Sequence, residues 1–138
     1  MNTIHPTPAQ MERFVKEIPK DTPFVMLNLL KFRDIAQYDD TETEISGVEA
    51  YEKYSSETFF HLQKVGGRAL WIGDAQSPVI GPVDKYWDKV LLIQYPSVAK
   101  FMEMTQNPEY IESAKHRTAA LEDSRLIPML GMLLTEKK

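Results

Sequence analysis

The sequence contains no cysteine among its 138 residues. Disulfide scaffolds, thiolate zinc sites and cysteine nucleophiles are therefore excluded. A chain without disulfides fits a reducing compartment, and the cytoplasm is the default expectation. A chain of this length can bury a hydrophobic core without covalent staples. We therefore predict a single domain over residues 1–138, with its core at about 23–134.

Long apolar runs are also absent. The stretches Phe24–Leu27 and Val90–Ile93 are far shorter than the roughly 20 residues that a membrane-spanning helix needs. Residues 1–10 lack the basic region and apolar stretch of a signal peptide. We expect a protein that neither enters a membrane nor is exported.

No basic stripe and no cofactor motif is present. The 16 basic and 20 acidic side chains are mixed along the chain and give a net charge of -4, whereas proteins that bind phosphate backbones concentrate Lys and Arg on one face. Glycine-rich phosphate loops, nucleophile elbows and paired-histidine motifs are missing too. We therefore expect no nucleic-acid partner, no cofactor and no metal.

Capping signals predict the helices. Thr7 and Gln10 surround Pro8 in the pattern of a helix start, and Pro19 ends the apolar periodicity that follows. A second capping box at Ser46 begins the long helix that Gly66-Gly67 terminates. Ser97 caps a short helix, and Asn107-Pro108 begins another that we expect to reach about Asp123.

Four segments have the composition of strands. They are Phe24–Phe32, Arg68–Gly73, Trp87–Tyr95 and Leu126–Leu134. With the two principal helices, the order is strand, helix, strand, strand, helix, strand. Right-handed crossovers then place both helices on one face of an antiparallel sheet. The predicted fold class is α+β, a ferredoxin-like domain with an extra N-terminal helix.

The second face of the sheet is predicted to be apolar as well. In the first strand, side chains of alternating direction are hydrophobic on both sides, and the third strand repeats the pattern. Monomers rarely expose so large an apolar patch. A second subunit's sheet is the expected cover and predicts a homodimer, with the N-terminal helix as the competing cover.

The segment 34–46 carries five acidic residues and no basic one. This length is uncommon for a passive connection. We expect either a lid or a disordered loop.

Several motifs together resemble a known family. They are Met26–Arg33, Glu49–Tyr51, Gly66–Arg68, Trp87–Asp88, Tyr95–Ser97, Asn107–Tyr110 and His116–Ser124. Over roughly residues 23–134 the chain resembles the domain-of-unknown-function family 1330, which itself is similar to the dimeric α/β-barrel superfamily. The resemblance implies two ferredoxin-like sheets packed face to face, with a pocket in each subunit. Relatives in that superfamily perform varied chemistry, so the fold does not select a reaction.

Asn28 and His116 are the candidate catalytic residues. Asn28 is a carboxamide at the centre of an apolar strand, where an unpaired polar group would cost a few kcal/mol. Its amide either bonds the backbone or orients a ligand. His116 lies at the edge of a helix, and histidine is the residue type most often used for acid-base chemistry. The alternative for His116 is an ion pair with Glu112 on the surface.

Six further residues are candidates for substrate binding. Tyr54 belongs to the buried stripe of the long helix, and Trp87 and Asp88 open the third strand. Arg33, Arg68 and Arg117 offer positive charge to an anionic ligand. The set is Arg33, Tyr54, Arg68, Trp87, Asp88 and Arg117.

Two functional hypotheses follow. The first is a homodimer that is either a binding protein or a cofactor-independent acid-base enzyme for a small, partly apolar organic molecule. The second is a non-catalytic structural dimer module in which the same polar residues satisfy one another. A roomy cavity favours the first, and an Asn28 amide bonded to backbone favours the second.

Overall fold

Eight elements make up the computed structural model, which describes residues 2–40 and 42–134. They are α1 Pro8–Glu17, β1 Phe24–Phe32, α2 Gly47–Lys64, β2 Arg68–Asp74, β3 Lys89–Tyr95, α3 Val98–Thr105, α4 Pro108–Ala120 and β4 Leu121–Met129. The capping boxes predicted at Thr7 and Ser46 are both formed. Asn107 caps α4 by accepting the Glu109 N–H, and Gly66 leaves α2 at φ +81°, a conformation that favours glycine.

The four strands form one antiparallel sheet in the order β2-β3-β1-β4. β1 is a central strand, with Phe24 opposite Tyr95 of β3 and Val25 opposite Met129 of β4. Helices α2 and α4 pack against each other. The predicted α+β arrangement of alternating strands and helices is confirmed.

One face of the sheet carries the core. Phe24, Met26 and Leu30 of β1 are buried there, and the tilted contact of Phe32 with Tyr51 places α2 above them. Helix α1 lies on this same face, because the ring centroid of Phe14 is 5.5 Å from that of Phe24. The N-terminal helix therefore does not cover the other face, contrary to the competing expectation.

The opposite face carries no described helix, and only its end near Lys31 and Arg125 is covered, by Tyr86 and Trp87. It carries Val25, Leu27 and Leu29 of β1 together with their register partners on β3 and β4. Ile127 keeps 44% of its surface exposed and Trp71 of β2 keeps 61%. We call this surface the open face; its apolar members are Val25, Leu27, Leu29, Trp71, Val90, Leu92, Ile127 and Met129.

The junction between α4 and β4 differs from the sequence prediction. The helix ends at Ala120 rather than near Asp123, and the last strand occupies Leu121–Met129 rather than Leu126–Leu134. Tertiary contacts decide the boundary: Leu121 is fully buried beside β1, and the Asp123 carboxylate accepts four hydrogen bonds. In the sequence, Glu122 and Asp123 resemble the solvated end of a helix, but the structure places Asp123 in the interior.

The third strand also begins later than predicted. β3 starts at Lys89, so Trp87 and Asp88 precede it. Asp88 is nevertheless fixed to the sheet, because its N–H donates to the Leu30 carbonyl at 2.8 Å and its carboxylate accepts the Phe32 N–H at 2.8 Å. The Asp88 carboxylate thus takes the place of a backbone carbonyl as the acceptor for the Phe32 N–H.

The acidic segment is ordered where the structure describes it. Ile35 forms an isolated bridge with Ser46, and the Gln37 N–H donates to the Ala119 carbonyl at 2.9 Å. The Asp40 carboxylate accepts hydrogen bonds from Glu42 and Thr43. Thr41 lies outside the described residues. The segment packs on the C-terminal half of α4, which excludes the disordered alternative for the described part.

None of the helices described here is long and apolar enough to cross a membrane.

Candidate functional site

A cavity of about 560 Å³ lies between the core face of the sheet and the helices. Its floor comes from β1, β3 and β4, and its walls come from α2, α3 and α4. Residues 3–6 and α1 form the remaining side. We call it the main cavity. Pockets of this size hold drug-sized organic molecules in other proteins.

An N-terminal arm, residues 2–6, closes one side of the main cavity. The Thr3 carbonyl accepts the Ser124 N–H at 2.8 Å, and the Thr3 N–H donates to the Asp123 carboxylate at 2.8 Å. The Ile4 carbonyl accepts a bond of 2.9 Å from the Arg117 guanidinium. The arm therefore lies along β4 because backbone and side-chain bonds hold it there.

Asn28 contributes to the floor of the main cavity. Its side-chain N–H donates to the Met26 carbonyl at 3.0 Å. Within the described chain its Oδ1 accepts no hydrogen bond, so the amide is half satisfied. The bond from the Asn28 amide to the backbone agrees with the hypothesis of a structural module. The unpaired Oδ1 at the cavity agrees with the hypothesis that Asn28 orients a ligand.

Three tyrosines surround the main cavity. The hydroxyls of Tyr54 on α2 and Tyr110 on α4 hydrogen-bond to each other. Tyr95 of β3 is buried, and its hydroxyl bonds to no described residue. Burial raises the pKa of Tyr95 and Tyr110, and the neighbouring Tyr54 adds to it. Both hydroxyls are therefore protonated at neutral pH and can donate to a ligand oxygen.

Arg117 supplies positive charge to the same space. It is partly buried on α4 and also donates to Ser124 Oγ at 3.4 Å. Its charge opposes the upward pKa shifts of Tyr95 and Tyr110, as expected for a cation close to both rings. The rest of the lining is largely aromatic and aliphatic, with Phe14 and Phe101 among its members.

His116 lies in a second cavity of about 460 Å³, formed by the acidic segment, α2 and α4. Because it precedes Arg117 in the helix, its side chain leaves on a different side. Its Nδ1 is 2.6 Å from the Tyr38 hydroxyl and its Nε2 is 3.4 Å from a Glu57 carboxylate oxygen.

The partner of His116 is thus Glu57 of α2 and not Glu112, which instead pairs with Lys115 at 2.6 Å. Glu57 also accepts a hydrogen bond of 2.8 Å from Ser113. This chain of polar groups links the acidic segment to both principal helices. Burial, followed by the charge of Glu57, raises the pKa of Tyr38, so its hydroxyl is protonated and can donate to His116.

Four other predicted binding residues line neither cavity. Arg68 bonds Gln94 at 3.0 Å on the open face, and Asp88 is occupied by the β1 backbone. Trp87 stacks under the Arg125 guanidinium, 5.2 Å from the ring centroid. The Nε of Arg33 is buried without a hydrogen-bond partner among the described residues.

The structure therefore brings Asn28, Tyr54 and Arg117 together and separates His116 from them. Sequence reasoning did not select Tyr95 or Tyr110 as site residues, although both lie in the motifs that carry the family resemblance. The signal is weak because a tyrosine at a strand end or on a helix is usually core. Only the cavity beside their hydroxyls distinguishes them.

No metal-binding arrangement is formed by the His, Asp and Glu side chains within residues 2–40 and 42–134.

Comparison with known families gives one match. The profile described as a domain of unknown function, DUF1330, matches residues 35–130. The N-terminal arm, α1 and β1 all precede the matched region, although all three contribute to the main cavity. Among curated proteins, none matches the chain.

Solved structures resemble the whole chain. A protein of unknown function from Rhodopseudomonas palustris is 39% identical, with a TM-score of 0.88 over 96% of this chain and 99% of that one. A dimeric protein of unknown function with a ferredoxin-like fold, from Bacteroides fragilis, has a TM-score of 0.51 at 14% identity over 80% and 97%. A ferredoxin-like DABB-family protein from Mesorhizobium loti has a TM-score of 0.51 at 9% identity over 80% and 97%. The last two likenesses concern the fold alone.

Proposed function

The chain belongs to the domain of unknown function 1330 family and has the ferredoxin-like fold. From this premise we propose that it is a homodimer. Each subunit then binds a small, partly apolar organic molecule in the main cavity. The observation that carries the proposal is the cavity itself. Its volume of about 560 Å³ is lined by aromatic rings and by a few convergent polar groups. This combination is typical of small-molecule sites.

The polar groups of the main cavity have complementary hydrogen-bonding character. Asn28 offers an acceptor oxygen on the floor, and Tyr54 or Tyr110 offers a hydroxyl proton that their mutual bond does not use. A ligand with both an oxygen acceptor and a hydroxyl or N–H donor would satisfy them. The apolar part of such a ligand would pack on Phe14 and Phe101.

Catalysis by a His116–Asn28 pair is not part of this proposal. Asn28 lines the main cavity and His116 lines the second one, and a general acid must be within hydrogen-bond reach of its substrate. We propose that His116 instead anchors the acidic segment to α2 through Tyr38 and Glu57. The alternative of a purely structural module gains support from the Asn28 bond to backbone, but it offers no reason for the cavity.

The homodimer is supported by the open face. Its aliphatic side chains and Trp71 form an apolar surface on which no described helix packs. A second copy offers an identical sheet, and isologous contacts of this kind are the commonest in soluble oligomers. The likeness to a dimeric ferredoxin-like protein agrees with this arrangement.

Native mass spectrometry, combined with binding of the neutral dye N-phenyl-1-naphthylamine, tests the proposal. We expect a dimer with saturable dye binding, one molecule per subunit. Ala114 lines the cavity, so Ala114→Phe should fill the space and abolish binding. Ala99 is exposed on α3, and Ala99→Phe is the matched control that should bind the dye as the wild type does.

Two results would overturn the binding proposal. Absence of both retained ligand and saturable dye binding would favour the structural module. Equal binding by Ala114→Phe and the wild type, with loss in His116→Ala, would move the site to the second cavity. A monomer in the spectrum would contradict the homodimer alone.

A further inference from the structure

Arg117 is a partly buried cation without a carboxylate partner. None of the ion pairs formed among the described residues involves it. Its hydrogen bonds go to the Ile4 carbonyl and the Ser124 hydroxyl, both neutral acceptors. A guanidinium has five N–H donors, so several remain for a ligand. Desolvating a cation without a counter-charge is costly, and the cavity is where a counter-charge would fit.

The other charged side chains around the main cavity are either paired or exposed to water. Arg125 pairs with Asp123 at 2.7 Å. Arg13 and Glu17 lie four residues apart on α1, where both are exposed and carry opposite signs. Among the described arginines of the lining, Arg117 is the one that is partly buried and forms no ion pair. A single negative charge balances it, whereas a dianionic phosphate would leave an excess charge among apolar side chains.

The hydroxyls near Arg117 are donors at neutral pH. The pKa of Tyr110 and of Tyr95 is raised by burial, so neither supplies the missing negative charge itself. Together with the guanidinium, they form a set of donors with few competing acceptors. Carboxylate oxygens accept several hydrogen bonds at once, and a planar guanidinium binds them in a bidentate manner.

The remaining surface of the cavity selects an apolar body. Phe14 and Phe101 form one side, and Met26, Leu126 and Pro128 of the sheet form the floor. We infer that the ligand is an organic monocarboxylate with an aromatic or branched apolar body, whose carboxylate binds Arg117. This inference rests on the proposed binding function and adds the chemical class of the ligand.

Competition between small probe molecules and the dye tests whether the cavity prefers a monocarboxylate. Three probes share one apolar body and differ in charge: phenylacetate, its neutral amide phenylacetamide, and the cation 2-phenylethylamine. We expect phenylacetate to displace N-phenyl-1-naphthylamine from the full-length wild-type protein at concentrations at least about tenfold below those needed for phenylacetamide, because charge-assisted bonds exceed neutral ones. The amine should compete least.

Variants of Arg117 assign the preference to that residue. Arg117→Gln should lose the preference for phenylacetate over the amide, and Arg117→Lys should restore part of it. The preference is read as the ratio of the two dissociation constants, each corrected for the variant's own affinity for the dye. Lys16 does not line the cavity, so Lys16→Gln removes one positive charge elsewhere and should keep the wild-type preference. If Arg117→Gln does not fold, the wild-type competition and Arg117→Lys still decide the question.

The possible outcomes separate the two proposals. If the dye does not bind the wild type, the binding function itself is wrong. If the dye binds but acid and amide compete equally, or Lys16→Gln loses the preference as fully as Arg117→Gln, the carboxylate class is wrong and the binding function stands.

Discussion

Asp123 shows how one residue can connect several parts of this chain. Only 1% of its surface is exposed, yet its carboxylate accepts bonds from Tyr86, from the Arg125 guanidinium and from the backbone of Thr3 and Ser124. Burial alone would raise its pKa, but the hydrogen bonds outweigh burial and hold the pKa of Asp123 well below its usual range. The ionised form is therefore part of the fold.

Replacing Asp123 by Asn tests this dependence. Asp123→Asn keeps the shape but loses the charge and places an N–H group against donors, so we expect a loss on the order of 2 kcal/mol in the free energy of unfolding at pH 7. Because the folded pKa is depressed, this stability is present above the unfolded pKa of about 4 and is lost as pH falls further. The difference between variant and wild type should shrink toward pH 3.

Urea denaturation at pH 7, 5 and 3 measures the effect. Glu122→Gln is the matched control, since that side chain is the adjacent acid and its carboxylate bonds to no described residue. A gap that stays constant from pH 7 to pH 3 would show that the carboxylate charge does not stabilise the fold.

Element boundaries depend on close contacts as well as on capping. Gly47 begins α2 where the end of β1 and the end of α4 meet, and a Cβ added there would lie 2.1 Å from the Arg33 carbonyl oxygen and 2.8 Å from that of Ala120. Both atoms are backbone and cannot rotate away. The capping box at Ser46 explains why the helix starts there, but not why its first residue is glycine.

Gly47→Ala should therefore destabilise the protein although alanine is the better helix former. Overpacking of this kind costs roughly 1–3 kcal/mol, and thermal unfolding is the measurement. Gly131→Ala is the control, because nothing lies within 4 Å of a Cβ placed there. A Gly47→Ala protein as stable as Gly131→Ala would mean that β1 and α4 separate easily at this junction.

At the scale of the whole molecule, the sheet has one apolar face on which no described helix packs. Ile127 on β4 lies beside Leu27 in the register of the open face. Ile127→Glu places a charge in the middle of the proposed dimer interface, where burial of an unpaired carboxylate is strongly unfavourable. We expect this variant to be a folded monomer by sedimentation velocity at concentrations where the wild type is a dimer.

Val79→Glu is the matched control for the dimer. Val79 is fully exposed in the segment between β2 and β3, so the same charge there should leave the dimer intact. Dissociation of both variants, or of neither, would argue that the open face does not form the interface.

At the scale of the fold, much was predictable from local signals. Thr7 and Ser46 determine where α1 and α2 begin through capping boxes. The Leu- and Phe-rich run of β1 predicts a strand buried in the centre of a sheet. The prediction from local signals was wrong at the end of α4, because the polar run Glu122-Asp123-Ser124 resembles the end of a helix. Asp123 is interior because Tyr86 and the N-terminal arm, distant in sequence, supply its bonds.

The sequence by itself determined the fold class and the unusual position of Asn28, because periodicity and a lone amide among apolar residues are local facts. The tertiary structure alone decided which residues share a cavity. His116 and Arg117 are neighbours in the chain, but a helix turns by about 100° per residue, so one lies against the acidic segment and the other in the main cavity. Tyr95, Tyr110 and the N-terminal arm meet there only because the sheet and helices pack together.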